Sequence, residues 1–194
     1  MGIIGGILAL SGFLPYIVEI VERKTKPNRA SWLIWSVLGL VILATYLASP
    51  GSHHNLPATI ALAIAPIVTM VLCIKYGEGS LSRFDKGCLI GAGLSLLVWN
   101  RLNSPILGLA CALITDALGL IPTWRGISRD PTKEKPHAWI IWSVGNICNM
   151  FTIERLTIQD AVYPTYYLVG TGVSTFLILH GRWRAKQHNK TTIS

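Results

Sequence analysis

Residues 31–37 read SWLIWSV and residues 138–144 read AWIIWSV, one tryptophan-rich phrase written twice at an offset of 107 residues. The offset extends well beyond the phrase and needs no gap. Gly12 meets Gly119, Pro15 meets Pro122, Thr25 and Lys26 meet Thr132 and Lys133, Trp32 and Trp35 meet Trp139 and Trp142, and Pro57 meets Pro164. Membrane-type helices share composition, so single matches carry little. A constant register that keeps prolines, tryptophans and a polar Thr-Lys pair aligned points instead to internal duplication.

The chain around the phrase reads as a bilayer protein. Of 194 residues, 51% are apolar and only 13% charged, with a positive mean hydropathy, a poor match to a soluble domain. A spanning helix needs about 20 mostly apolar residues. Seven stretches fit, at about 1–21, 31–49, 58–76, 86–101, 104–127, 137–154 and 161–181, the fourth being the shortest. The offset carries the first three onto the last three and leaves the fourth as a linker, which returns the second copy in the orientation of the first. The expected fold is therefore an all-α membrane protein, with seven transmembrane helices arranged as two parallel three-helix repeats. Residues 1–76 form the first repeat, 77–103 a loop and linker helix, 104–181 the second repeat, and 182–194 a basic cytoplasmic tail. Parallel repeats of this kind recur in transporters, with the substrate site near the bilayer midplane.

A net charge of +8 raises the question of nucleic acid, and the placement of the charges answers it. Arg23, Lys24, Lys26 and Arg29 follow the first span, Lys75, Arg83 and Lys86 the third, Arg125, Arg129, Lys133 and Lys135 the fifth, and Arg182, Arg184, Lys186 and Lys190 the seventh. Only Arg101 and Arg155 remain for the other side. Because basic loops stay cytoplasmic, the N-terminus is expected outside and the C-terminus inside, with the tail RWRAKQHNK able to touch anionic lipid. The first apolar stretch lacks a basic leader and a small-residue cleavage site, so it reads as a retained span. Short loops favour a bacterial inner membrane. Cys73, Cys88, Cys111 and Cys148 sit singly within apolar stretches, a pattern of core thiols rather than of a disulfide framework or metal knuckle.

The stretches GFLPYIVEIVERKTK and GLIPTWRGISRDPTK, each a proline near the end of a first helix followed by a basic loop and an aromatic second helix, resemble the PQ-loop superfamily of SWEET-type transporters. Tyr16 and Thr123 stand where that family carries its glutamine. The phrase WIIWSVGN is similar to the WxxW motif of PnuC-type vitamin-precursor transporters, which share the architecture. The resemblance implies a three-plus-one-plus-three bundle and transport of a small molecule, with Pro15 and Pro122 as hinges.

Several residues carry candidate chemistry independently of that likeness. A helix-interior proline removes a backbone hydrogen bond and loosens the helix, which suits Pro15 and Pro122 either to hinge motion or to a fixed kink. Trp139, Trp142, Asn146 and Asn149 share one helical face. Two rings beside two amides can stack on a ring-shaped ligand and bond its edge. At the offset positions Trp32 and Trp35 recur, but Gly39 and Ile42 replace the amides. Trp32 and Trp139, beside the basic loops, read as interfacial anchors. Trp35, Trp142, Asn146, Asn149 and Tyr167 are the candidate substrate contacts, with helix packing as the alternative. Asp116 lies mid-span, where a carboxyl is costly and marks an ion, proton or substrate path. It is the candidate proton-coupling group, the alternative being a carboxyl that ties its helix to a neighbour. Small residues, Gly108, Ala112, Gly119 and Thr123, share its face. Ser174 and Thr175 read as packing residues, Glu19 as a partner for a loop lysine or arginine, and His53 and His54 as solvated rather than metal-binding.

No catalytic set, HExxH or nucleotide-binding glycine loop occurs, so neither an enzyme nor a cofactor or metal is expected. The leading expectation is a transporter or facilitator for a small polar or ring-containing metabolite. The alternative is a receptor or scaffold of the same fold that moves no substrate. The expected partners are a small-molecule substrate and membrane lipid, without nucleic acid, and self-association into a homo-oligomer is compatible with the sequence.

Overall fold

The computed structural model describes residues 2–48, 56–78, 81–101, 104–151, 153 and 158–191, and they are helical with short connections and no strand. The helical segments are α1 (Gly2–Ser11), α2 (Phe13–Val21), α3 (Arg29–Ala48), α4 (Leu56–Tyr76), α5 (Arg83–Trp99), α6 (Pro105–Arg129), α7 (Pro136–Met150) and α8 (Ile158–Thr191). Among the described residues, four stretches are long and apolar enough to cross a membrane: Arg29–Ala48, Leu56–Tyr76, Ile106–Arg129 and Ala161–Gln187. The expected fourth and sixth spans form as helices of 17 and 15 residues. At 1.5 Å per residue they reach about 25 Å and 23 Å, short of a hydrocarbon core of about 30 Å.

The first expected span carries a turn at Gly12 between α1 and α2, yet the backbone there stays helical, with Gly12 at φ −62° and ψ −26° and its N–H donating to the Leu8 carbonyl at 3.0 Å. Pro15 lies three residues further on. A proline has no N–H to donate and its ring crowds the carbonyl four residues back, here that of Ser11, the last residue of α1. Pro122, at the offset position, lies inside α6, which continues through it. Past α2 the chain reverses through Arg23, whose φ of 59° is left-handed, while the N–H groups of Lys24 and Thr25 both donate to the Glu19 carbonyl. Such a C-terminal closure satisfies carbonyls that the helix leaves without partners. Caps fix other ends. Asn28 Oδ1 accepts from the N–H groups of Ala30 and Ser31 at the start of α3. Ser82 and Asp85 form a capping box on α5, and Pro136 opens α7, a position where its missing N–H costs nothing.

Burial departs from that of a water-soluble protein in what lies outside and in how many hydroxyls lie inside. Large apolar side chains such as Leu14, Val71, Ile74, Ile90, Leu97 and Phe176 face outward, whereas Thr25, Ser31, Ser36, Thr69, Thr115 and Ser174 are buried. In lipid, close packing and hydrogen bonds hold helices together, which places small and hydroxyl-bearing residues inside. Four of these hydroxyls are satisfied within their own helices: Ser36 donates to the Trp32 carbonyl, Thr69 to Ala65, Thr115 to Cys111 and Ser174 to Gly170. Cys73, Cys88 and Cys111 are buried and Cys148 half-buried, all as free thiols.

The chain divides into two compact units. The first unit joins Met1–Lys26 to Thr123–Ser194 and the second is Pro27–Pro122. Neither coincides with a stretch of the 107-residue register. In the first unit α1 and α2 pack on α7, and α7 packs on α8. Trp124 Nε1 donates to Ser174 at 2.8 Å, and Ser143 meets Thr175 at 3.3 Å, which accounts for Ser174 and Thr175 as packing residues. The Arg182 guanidinium at the end of α8 donates to the carbonyls of Pro131, Thr132 and Glu134. In the second unit α3 packs on α4 and α5, and Arg29 donates to the carbonyls of Cys73 and Ile74 in the last turn of α4, where a cation also complements the helix dipole. Pro122 is the last residue of the second unit, and Thr123 resumes the first within the same helix α6.

Candidate functional site

In the first unit, α7 carries the tryptophan phrase and α1–α2 supplies the surface it meets. The Trp142 indole N–H donates to the Ala9 carbonyl at 3.0 Å. This ring can approach because Gly12 has no side chain: a Cβ there would collide with Nε1 and Cδ1 of Trp142. Around the half-buried Trp142 ring stand Phe13, Tyr16 and Trp139, with centroids at 5.2, 5.5 and 5.3 Å. The Phe13 and Trp139 contacts are edge-on, a geometry that places the positive ring edge against the negative face.

One turn along, the Asn146 amide reaches α8, donating to the Tyr167 carbonyl at 3.5 Å and to Thr171 Oγ1 at 3.4 Å. These are long bonds. The Tyr167 ring lies against Tyr163 and Tyr166, with centroids at 4.7 and 5.2 Å. Asn146 and Tyr167 are thus brought together along the α7–α8 contact, while Trp142, one turn back on α7, meets α1 and α2, and Asn149 is half-buried a turn further on. Interhelical hydrogen bonds in membranes average about 0.6 kcal/mol, so Asn146→Leu is expected to lower stability by no more than about 1 kcal/mol in a thermal melt. A much larger loss would assign Asn146 to structure rather than to ligand contact.

The second unit repeats the tryptophan geometry at the offset positions. Trp35 Nε1 donates to the Asp116 carbonyl at 3.4 Å, as Trp142 does to Ala9, and a Cβ at Gly119 would lie 2.7 Å from Trp35 Nε1. The Trp32–Trp35 pair is edge-on with centroids 5.0 Å apart, like Trp139–Trp142. Asp116 is 8% exposed. Both glycines on its face seat indoles, Gly119 that of Trp35 and Gly108 that of Trp99, whose Nε1 a Cβ at Gly108 would meet at 2.9 Å. Trp35, Asp116 and Pro122 belong to the second unit, and Pro15, Trp142, Asn146, Asn149 and Tyr167 to the first.

Two expectations require correction. Trp32 and Trp139 are each 3% exposed, so they are packed rings and not interfacial anchors. The reason is local: the Trp139 N–H donates to Glu134 Oε2 at 3.2 Å, and each indole lies edge-on to the tryptophan three residues further along its helix. Glu19 does not take a loop lysine or arginine as its side-chain partner. Its Oε1 meets His137 Nδ1 at 2.5 Å and its Oε2 accepts from Thr25 Oγ1 at 3.4 Å, because Glu19 is buried on the α7-facing side of α2.

Sequence reading missed a polar ladder at this end of the first unit. Tyr16 Oη donates to Glu134 Oε1 at 2.8 Å, and Glu19 meets His137, so residues three apart on α2 are matched to residues three apart at the start of α7. The signal lay in the departures from the repeat: Tyr16, Glu19, Glu134 and His137 correspond to Thr123, Gly126, Pro27 and Ala30, none of which can form either link. Among the described residues no group of three or more His, Cys, Asp or Glu could hold a metal. His53, His54 and Arg155 lie outside the described residues.

Among the described residues the chain is helical, with four helices long and apolar enough to span a bilayer and many large apolar side chains outermost, the pattern of an α-helical membrane protein. No family model, curated protein or solved structure matches it.

Proposed function

We propose that the protein is a transporter or facilitator for a small polar or ring-containing metabolite, sugar-like or vitamin- and nucleoside-like, working by alternating access between two three-helix repeats. The observation that carries the reading is the α7 face, where the half-buried Trp142 ring stands one turn from the Asn146 amide. A ring and an amide so placed can stack on a planar solute and bond its edge. Supporting the repeats are the matched contacts of Trp142 with Ala9 and Gly12 and of Trp35 with Asp116 and Gly119, which the 107-residue offset relates one to one. The alternation of basic loops supports seven spans with the N-terminus outside, in a bacterial inner membrane. Pro15 and Pro122 serve as hinges, a role supported by the helical hydrogen bond that each proline removes. Asp116 couples protons, a role supported by its burial within a span.

The test is thermal stabilisation of the purified protein by sugars, nucleosides, vitamins and amino acids at two pH values. A ligand at a hundredfold its Kd adds about 2.7 kcal/mol to the folded state, several degrees in the melt. The shift should vanish in Trp142→Ala, and its dependence on pH should vanish in Asp116→Asn. A receptor or scaffold gains support from the commitment of the Trp142 N–H to Ala9, and a panel in which no solute moves the melt would favour it.

A further inference from the structure

The ring proposed to face the ligand is held by rings that are themselves held. Trp142 is half-buried, and two of its neighbours, Tyr16 and Trp139, are almost wholly buried at 1% and 3% exposure. Both of these point their polar atoms at one carboxylate: Tyr16 Oη donates to Glu134 Oε1 at 2.8 Å and Trp139 Nε1 to Glu134 Oε2 at 3.2 Å. Glu134 is 3% exposed and sits in the connection before α7. Its own carbonyl accepts from Arg182 at 2.7 Å, which fixes the backbone that carries it. Buried charge is costly unless it is paired by strong donors. A carboxylate here is nevertheless suited to the task, because its two oxygens accept from two rings at once.

We propose that Glu134 is the positioning residue of the candidate binding site, setting the attitude of Trp142 by locking the Tyr16 and Trp139 rings on two of its sides; this rests on Trp142 being the ligand wall. Trp32 and Trp35 keep the edge-on pair, while the offset positions of Glu134 and Tyr16 hold Pro27 and Thr123, so this pairing of a carboxylate with a phenol is not written into the other copy of the phrase. It stands beside the helix that also carries Asn146 and Asn149.

The experiment uses the full chain in lipid micelles, labelled with 5-fluorotryptophan and free of ligand, with the Trp139 and Trp142 resonances assigned by Trp139→Phe and Trp142→Phe. In Glu134→Ala both resonances should move. In Glu134→Gln both should stay near their wild-type positions, because the amide oxygen can accept from Trp139 while its NH2 donates to the Tyr16 oxygen. Tyr16→Phe keeps the ring and removes one donor, and it should move Trp142 and lower the melt by a few degrees, since a buried acceptor loses a partner. If Glu134→Ala does not fold, the last two variants decide alone. A Trp142 resonance that stays put in Tyr16→Phe, or in a folded Glu134→Ala, overturns the proposal. A shift in Glu134→Gln as large as that in Tyr16→Phe also overturns it, since the conservative variant then fails to rescue. None of these readouts needs a substrate, so they stand apart from the thermal panel. Where the panel yields a ligand, its affinity should fall about tenfold or more in Glu134→Ala and hold within about threefold in Glu134→Gln. Unchanged affinity with a moved Trp142 would retire Trp142 as the wall while leaving Glu134 as its anchor.

Discussion

Gly12→Ala is expected to destabilise the protein by about 1–3 kcal/mol, the usual cost of forcing extra atoms into a packed contact. The added Cβ would lie inside van der Waals contact with Trp142 Nε1 and 2.6 Å from its Cδ1. The obstacle is a rigid indole, not the end of a flexible chain. To make room the ring must give up its bond to the Ala9 carbonyl and its edge-on contacts with Phe13 and Trp139. Gly119→Ala should act similarly on the second unit, where the Cβ would stand 2.7 Å from Trp35 Nε1 and 3.1 Å from Cδ1. Melting in micelles measures both, and a double cycle with Trp142→Phe isolates the clash: Gly12→Ala should cost much less once the smaller ring is present. A loss under about 0.5 kcal/mol, within the range of neutral surface changes, would mean that the indole leaves its seat freely.

Cutting the chain between its two halves should give fragments that fold together and fail apart. Residues 1–101 carry α1 and α2 without α7, on which both pack, and residues 104–194 carry α7 and α8 without them. The first fragment likewise holds Trp35 without Asp116 and Gly119, the groups its indole meets. Co-expressed, a tagged 1–101 fragment should retain untagged 104–194 in near-equal amount through detergent extraction. Expressed singly, each should aggregate or be degraded, since its helices present unfilled seats to lipid and to one another. Two halves that each fold and elute alone would show that α1 and α2 do not depend on α7.

Much of this fold was legible in the sequence. The helical segments fall where apolar runs of spanning or near-spanning length predict them. That residue 15 donates no helical N–H to the Ser11 carbonyl follows from proline chemistry alone. The face shared by Trp142 and Asn146 follows from helical periodicity. Glu134 and His137 were not legible, because in one dimension they are charged or polar residues in a basic loop. Their contacts depend on what α2 brings against them: Tyr16 for the first, which is buried, and Glu19 for the second, which stays exposed. Trp139 was misread for the same reason, since a tryptophan next to basic residues resembles an anchor until a buried carboxylate is found at its N–H.

The sequence by itself determined the helices, their apolar exteriors and the doubled tryptophan phrase, all of which arise from local composition and periodicity. Which first helix each tryptophan meets was decided only by the tertiary structure. Trp35 and Trp142 each need a glycine and a carbonyl at matched positions, and the chain offers two such seats, at Ala9 with Gly12 and at Asp116 with Gly119. The contacts are chemically equivalent, so sequence alone cannot choose between the pairings. The fold seats Trp142 on the helix that begins the chain, and Trp35 on α6.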